Sequence, residues 1–553
     1  MGRPCRARRI AFRRMASALH RSRNAEESLG PLRPAHRRRG VRRLVPPVTC
    51  GPGGARAALA GSSRHVRARS RPMTAMAIAR YRCVARVTIQ FETPFCVRSG
   101  DGDAFSDSAF VTDANGLPAI PGSSLAGILR NAAERLGIDL AIFGRRPEAA
   151  KKDLGEGSRL TVTWAHIHDH LDRPVDGLLA PDDPRLSHPV LRSARQGVVR
   201  DHVRIGHRGS AERTGKFDER VVPMGHRFTF DLGLQGGEPE KEVWPRLLNL
   251  LAWPGLRIGA GSRRGFGKFR LVRDAVRQRV FDLCESEDFA AYSRLPASLS
   301  EPADGLEDVK PVLDGPAELA VIRLQGLIAD GGWLFGGGGA LDNADIAPVR
   351  EHVIEWAGEA ALSERARLYL PASAIKGAFA HRLAWHHNRL RPQIRAEALP
   401  LAEIARHSGA GNQAVRTLLG HVADDDDDNP RAGRLLFADT YLAFGTEYGD
   451  ERWHVSLDRF TQGARAGRLF CEHVMAPRGL GADYEIVLLT AGVDQIEAVD
   501  ADMKRALWMT LRDMKDGRLT FGAAGNRGHG DIRCETIALC ESARQWFGEV
   551  CHD

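Results

Sequence analysis

Regular patterning begins at Tyr81, where Val87, Ile89 and Phe91 alternate with Arg86, Thr88 and Gln90 in YRCVARVTIQF. A period of two with one apolar face predicts a half-buried strand. The signature returns in AVIRLQGLI, where Ile322 and Leu324 alternate with Arg323 and Gln325. This strand is the first of four landmarks that recur in the same order in the two halves of the chain, as a duplication would leave them. The second pairs IPGSSLAGILR (Ile120 to Arg130) with LPASAIKGAFA (Leu370 to Ala380) position by position. Proline, small residues and then an apolar-periodic run predict a helix start. Phe143-Gly144 is answered by Leu419-Gly420, and GSRLTVTWAHI from Gly157 by AGRLLFADTYL from Ala432, two further strands in one register.

The third landmark is HVRIGHRGSAERTGKF (His202 to Phe217) against HVSLDRFTQGARAGRLF (His454 to Phe470). An extended run, a small basic tip with glycine and an exit strand predict a long projecting hairpin. The fourth is GLRIGAGSRRGFGKF (Gly255 to Phe269) against LTFGAAGNRGHGDI (Leu519 to Ile532), which sets Gly265 and Gly267 opposite Gly528 and Gly530. The fold expected is α+β: two modules in tandem, each a sheet with helices on one face, a projecting hairpin and a C-terminal glycine-rich loop. The boundaries read are a leader over 1–77, a first module over 78–275, a linker over 276–317, a second module over 318–536 and a tail over 537–553. An acidic, proline-containing stretch from Ser298 to Gly315 marks the linker.

Charge changes the picture of the leader more than that of the body. The chain carries +10 overall, yet residues 1–75 hold 19 Arg and 2 Glu, leaving 60 basic against 67 acidic residues in the rest. The leader has no apolar periodicity and no signal-peptide core, so disorder is expected there. It reads either as a basic arm for RNA or, preferably, as an upstream extension of a frame that opens at Met73 or Met76. No apolar run is long enough to cross a bilayer, which argues against a membrane role. The 9 cysteines are scattered without a C-x-x-C pair, so reduced thiols in a cytoplasmic protein are expected.

Two repeated motifs suggest anion chemistry. A helix opened by Gly122, Ser123 and Ser124 offers free backbone N–H groups at its positive end, with Arg130 further along it. In the second half Ser373 keeps one hydroxyl and Lys376 adds charge. The alternative for either copy is an ordinary capped helix. The terminal loops place Arg263, Arg264 and Lys268 among Gly265 and Gly267, and Arg527 beside Gly528 and Gly530, where a sugar-phosphate backbone can come close. Asp531 stands opposite Lys268, so the second grip should be weaker. The hairpin adds Arg204, Arg208 and Arg213. These glycines lack the G-x-x-x-x-G-K-[ST] spacing, which disfavours a nucleotide-hydrolysing loop.

DANGLPAIPGSSLAGILR followed by IFG, the hairpin RGSAERTGKFDERVVPMGHRFTF and the loop GLRIGAGSRRGFGKFRL resemble the RAMP superfamily of CRISPR-associated proteins. The closest likeness is to backbone subunits of type III effector complexes. It covers nearly everything after residue 78, more loosely in the second half. The resemblance implies ferredoxin-like, RRM-related modules, guide CRISPR RNA along each palm, a hairpin thumb that displaces bases at intervals, and other CRISPR effector subunits as partners in antiviral defence. It also implies cleavage of a paired target RNA by an aspartate on the loop before the IPGSS helix. The matching position in FSDSAFVTDANG is Asp107, six before Asp113; its counterpart is Asp345, six before Glu351, with Asp342 as a neighbour. A carboxylate of ordinary pKa, about 3.9, is a poor base at neutral pH, so a divalent metal, Mg above all, is expected at Asp107 and Asp345. Asp107 reads equally as an Asx turn, and Asp345 more readily as one. Two rivals stay open: a structural RNA-binding subunit that does not cut, and a guide-processing endoribonuclease that uses a histidine without metal.

Other signals are discounted. HIHDH (His166 to His170) lacks one residue of zinc-nuclease spacing and reads as a strand end. Asp424 to Asp428 reads as a solvated acidic loop, and GGWLFGGGGALDN (Gly331 to Asn343) as a flexible loop leading to Asp345. His381, His386 and His387 share a predicted helix with Trp385 and read as surface or packing residues.

Overall fold

The computed structural model describes residues 79–100, 109–146, 155–313, 319–329, 331–337, 341–391, 399–421, 430–476, 481–490 and 499–552. The Arg-rich leader, Asp107 and the Asp424–Asp428 run lie outside these residues.

The expected first strand is β1 (Tyr81–Phe91), with Val87, Ile89 and Phe91 fully buried. After it come β2 (Ala119–Ile120), α1 (Gly122–Arg135), β3 (Leu160–Val162) and β4 (Ala165–Ile167). The hairpin of β5 (Val198–Ile205) and β6 (Ala211–Val221) leads to β7 (Arg227–Gly236) and α2 (Glu238–Asn249). The module closes with β8 (Phe269–Leu271), β9 (Val276–Asp282) and β10 (Glu307–Val309). The sheet order is β10-β9-β1-β7-β4-β2, with β3 on β7 and β8 on β1, all antiparallel. One helix follows the first main strand and one the third, an order consistent with a ferredoxin-like β-α-β-β-α-β unit. Leu125 and Leu129 of α1 and Trp244 and Leu247 of α2 bury their stripes in the same core as Val87 and Phe230.

The second module repeats this plan. It runs from β11 (Leu319–Ala329) through α3 (Ala372–Arg389) and a short strand Leu435–Leu436 to a hairpin of β12 (Gly449–Leu457) and β13 (Ala464–Met475). Next come β14 (Ala482–Leu489), α4 (Ala501–Lys515), β15 (Ile532–Arg533) and β16 (Thr536–Leu539). The order Leu435–Leu436, β14, β11, β15, with β16 also on β11, is the first sheet's order again. The glycine loops match in detail. A Cβ on Gly267 would lie 2.1 Å from the Ile258 carbonyl oxygen and one on Gly530 2.1 Å from that of Phe521, and both have positive φ. Only glycine fits either place.

Two boundaries and one loop differ from the reading of the sequence. Residues 276–309, expected as linker, belong to the first sheet, since β9 pairs with β1 from Tyr81↔Asp282 to Arg86↔Arg277 and β10 covers β9. Residues 536–547, expected mostly as tail, add β16 to the second sheet and bury Ala543 and Phe547 in its core. The stretch from Gly331, expected as a flexible loop, puts Trp333 and Phe335 into that core, with Trp333 and Met475 exchanging backbone hydrogen bonds.

The two modules join through a shared interior rather than a tether. Leu319, Leu436, Val487 and Leu489 of the second complete the core of the first. Arg200 of β5 reaches across to a buried cluster: Nε donates to Glu351 Oε2 at 2.9 Å, Nη1 to Asp439 Oδ2 at 3.2 Å, and the guanidinium lies 4.0 Å over the Tyr369 ring. Tyr441 donates its hydroxyl to Glu351. The first glycine loop completes the junction, because a Cβ on Gly265 would meet Ala372 Cβ at 2.5 Å and Asp439 Oδ1 at 2.6 Å. Trp356 adds an indole N–H bond to the Gly225 carbonyl at 2.8 Å.

Candidate nucleic-acid interface

At the root of each hairpin the same four side chains meet. In the first module His202 stacks on Phe217, centroids 5.0 Å apart, and the buried Glu219 accepts from Arg264 of the glycine loop at 2.7 Å and from Arg98. In the second His454 stacks on Phe470 at 5.0 Å, and the buried Glu472 pairs with His454 Nε2 at 3.0 Å and with Arg527 of its glycine loop. The arginines also lie over the phenylalanines, 5.2 Å from Phe217 and 5.9 Å from Phe470. A buried carboxylate held by a charge-assisted pair fixes the angle at which each hairpin leaves its palm. His202 is pushed down to about 4 by burial and by the Arg264 charge, so it is a neutral ring at pH 7. The glutamates and histidines were not singled out from the sequence, although the H-V…F-x-E spacing repeats in both hairpins.

Beyond these roots the hairpins present cations and apolar surface to solvent. Arg204, Arg208 and Arg213 are exposed on the first, and Arg459, Arg465 and Arg468 on the second. Arg465 and Arg468 line a recess of about 430 Å³ with Leu469 and Phe470. Trp453 is 57% exposed and Phe460 89%. Arginines beside exposed aromatic faces are what a single nucleic-acid strand takes, the one for phosphates and the other for bases.

The start of α1 is open: Gly122 is buried, Ser123 is exposed and the first turn carries no acid. A Cβ on Gly122 would lie 2.1 Å from the Val162 carbonyl oxygen, so glycine lets this helix end approach the sheet. Ser124 donates its backbone N–H to Pro121, and Arg130 reaches the Gly144 carbonyl at 3.3 Å.

The RAMP superfamily model matches residues 88–270 and 333–533, one copy on each sheet. The chain belongs to the RAMP superfamily. It is therefore a CRISPR-associated, RNA-binding effector subunit carrying two RAMP modules. No curated protein matches it. Among the described residues no helix is long and apolar enough to cross a membrane.

In this RAMP pair several residues expected at RNA have partners within the chain, and two of them, Arg263 and Gly265, meet the other module. The Ala372 amide that opens α3 donates to Asp439 Oδ1 at 2.8 Å, so a carboxylate of the chain itself already holds the place expected for phosphate beside Ser373. Lys376 donates to the Leu419 carbonyl at 3.0 Å and is pushed down to about 8 by burial. Arg263 donates to the Gly433 carbonyl at 2.7 Å across the junction, where burial lowers it to about 10. Gly265 lies in the junction, and Lys268 pairs with Glu92 at 3.3 Å. Gly528 and Arg527 remain exposed at the matching loop of the second module.

Of the candidate cutters, Asp107 lies outside the described residues. Asp345 is exposed, but its N–H donates to the Cys471 carbonyl at 2.9 Å and its Oδ2 accepts from the Cys471 N–H at 2.9 Å, which ties it to β13 beside Glu472. Asp342 is exposed at a positive φ of 50° in the turn that Ala344 closes on Leu341. Among the described residues no three His, Cys, Asp or Glu side chains converge as a metal cage. The free Oδ1 of Asp345 still fits Mg²⁺, which keeps most of its waters and needs only one or two carboxylates when phosphate supplies the rest. The discounted histidines are structural: His168 lies between Asp172 at 2.8 Å and Thr229 at 2.7 Å, and His386 meets Asp513 at 2.7 Å.

Proposed function

We propose that this double RAMP protein is a cytoplasmic backbone subunit of a type III CRISPR effector, which holds guide RNA across both palms and cuts complementary target RNA in antiviral defence. The observation that carries the reading is the repeated hairpin root, with a basic hairpin and a glycine loop locked together in each module and at the same register. The open start of α1 offers amides to one phosphate, and Arg204, Arg208 and Arg213 take others along the strand. The hairpins displace a base of the guide–target duplex, which frees the local backbone to bring a ribose 2′-OH in line with its own 3′ phosphorus. The 2′ oxygen then bonds to phosphorus and gives its proton to solvent, the bond to the 5′ oxygen breaks, and that oxygen takes a proton from solvent, leaving a 2′,3′-cyclic phosphate and a 5′ hydroxyl. Asp107 in the first module and Asp345 in the second would hold a divalent ion, which would supply charge neutralisation at the phosphate. The carboxylates would position that ion rather than act as bases.

Asp345 favours a second reading for its own module: a carboxylate that caps Cys471 can be a structural tie, leaving the second module to bind without cutting. The test is an assembled complex with guide and end-labelled target. We expect Asp107→Ala and Asp345→Ala each to erase one set of cuts while leaving guide binding intact, and chelation to erase both. Unchanged cuts in both variants would remove the enzyme and leave the binding subunit. Cleavage of repeat RNA by the full chain in chelator would instead identify a guide-processing nuclease.

A further inference from the structure

The first sheet buries one face under α1 and α2, and at one end of its other face three arginines gather. Val87, Ile89 and Phe91 of β1 point into the core, so Thr88 and Gln90 stand on the opposite side. Gln90 pairs with Arg227 of β7 on one flank and with Arg270 of β8 on the other. Its Oε1 accepts from Arg227 Nε at 3.1 Å and from Arg270 Nη2 at 3.2 Å, so two like charges share one neutral acceptor across neighbouring strands. Arg273 follows in the turn after β8, where Arg273 and Asp274 both take positive φ, 60° and 52°. L side chains adopt that conformation at a cost, and it persists where the surroundings impose it.

The three arginines are unequally partnered. Arg227 is fixed in place: Nη1 donates to Asp172 Oδ2 at 2.7 Å, and the guanidinium lies 3.8 Å over the Trp356 ring, whose indole N–H is itself held by Gly225. Asp172 is also engaged by His168 at 2.8 Å. Arg270 and Arg273 are exposed, and neither makes an ion pair among the described residues. Burial lowers the Arg227 guanidinium below its usual value, Asp172 offsets part of this, and the charges of Arg270 and Arg273 lower it again. Like charges on adjacent strands destabilise a sheet, and an anion set between them reverses the sign.

This cluster is not part of the repeated plan. The second sheet keeps Arg533 at the place of Arg270, but it pairs Leu327 with Ala482 at the end where the first has Gln90 and Arg227. None of the three arginines belongs to a hairpin, a glycine loop or a helix start. Three guanidiniums offer more N–H donors than the two oxygens and single charge of a carboxylate can use, whereas a phosphate group brings more oxygens and more charge. We infer that Arg227, Arg270 and Arg273 form a phosphate-binding site on the outer face of the first sheet. The phosphate belongs to a nucleotide or to an RNA strand, and the site serves either whether or not the chain cuts RNA.

Calorimetric titration of the full chain with inorganic pyrophosphate tests it. Arg270→Gln with Arg273→Gln should weaken binding at least about 10-fold without moving the unfolding midpoint, because both side chains are exposed. Arg204→Glu with Arg208→Glu and Arg213→Glu on the hairpin should leave pyrophosphate binding unchanged. Displacement of the pyrophosphate by a single-stranded RNA with a 5′ hydroxyl would assign the site to a strand, and displacement by ATP alone would assign it to a nucleotide. No binding by the wild-type chain, equal binding by the double variant, or displacement by neither competitor would overturn the inference.

Discussion

Replacing Arg200 by methionine is expected to cost about 3–5 kcal/mol, because it leaves the carboxylates of Glu351 and Asp439 buried without their cation. Methionine keeps the volume and the contact with Tyr369, so the loss reports charge rather than a cavity. The junction should loosen before either sheet does, which urea titration followed by tryptophan fluorescence detects through Trp356 at the Gly225 contact. Arg200→Lys should cost less but still weaken the junction, since one ammonium cannot bridge Glu351 and Asp439 as the guanidinium does. The cluster also carries a pH signature. Burial pushes the Asp439 carboxyl up to about 6, only partly offset by Arg200, so the folded chain holds a proton that the unfolded chain has already released. The sign follows: between about pH 4 and 6 the folded state binds more protons, and this group's contribution to stability falls as pH rises through that window. Asp439→Asn should flatten that slope, and the Arg200→Met defect should shrink in acid. A midpoint unmoved by Arg200→Met would mean that the cluster does not hold the modules together.

Reversing the first hairpin's charge, Arg204→Glu with Arg208→Glu and Arg213→Glu, should lower affinity for single-stranded RNA by at least about 10²-fold at moderate salt. All three side chains are exposed, so the fold should tolerate the change. Loss of three phosphate contacts should also reduce the slope of log affinity against log salt by about 2. The triple change Arg459→Glu, Arg465→Glu and Arg468→Glu should do the same on the second hairpin. Fluorescence anisotropy of the full chain across a salt series reads both quantities. An unchanged slope would place the RNA elsewhere.

Local pattern carried much of this fold. The alternation in β1 and β11, the proline-led helix starts and the glycine pairs at 265/267 and 528/530 are short-range signals, and each marks an element in the structure. What escaped was set across long separations. Arg200 and Asp439 are 239 residues apart, and nothing near either announces the other. The contact of Asp439 with the Ala372 amide beside Ser373 was hidden for that reason, because a helix start looks alike whether a phosphate or a neighbouring carboxylate fills it. β9 was missed because Arg277 and Arg279 interrupt its apolar run, yet Arg277 reaches the Ala303 carbonyl and Arg279 pairs with Asp288. The Trp333–Phe335 stretch was hidden by the glycines around it, whereas burial of two aromatic rings outweighs the entropy those glycines cost.

The most direct test is a hydroxyl-radical footprint of a long single-stranded RNA on the full chain. Two protected tracts are predicted, one for each module, with the first erased by charge reversal on the first hairpin and the second by reversal on the other. A single tract that survives either reversal would contradict the account of two like modules sharing one strand.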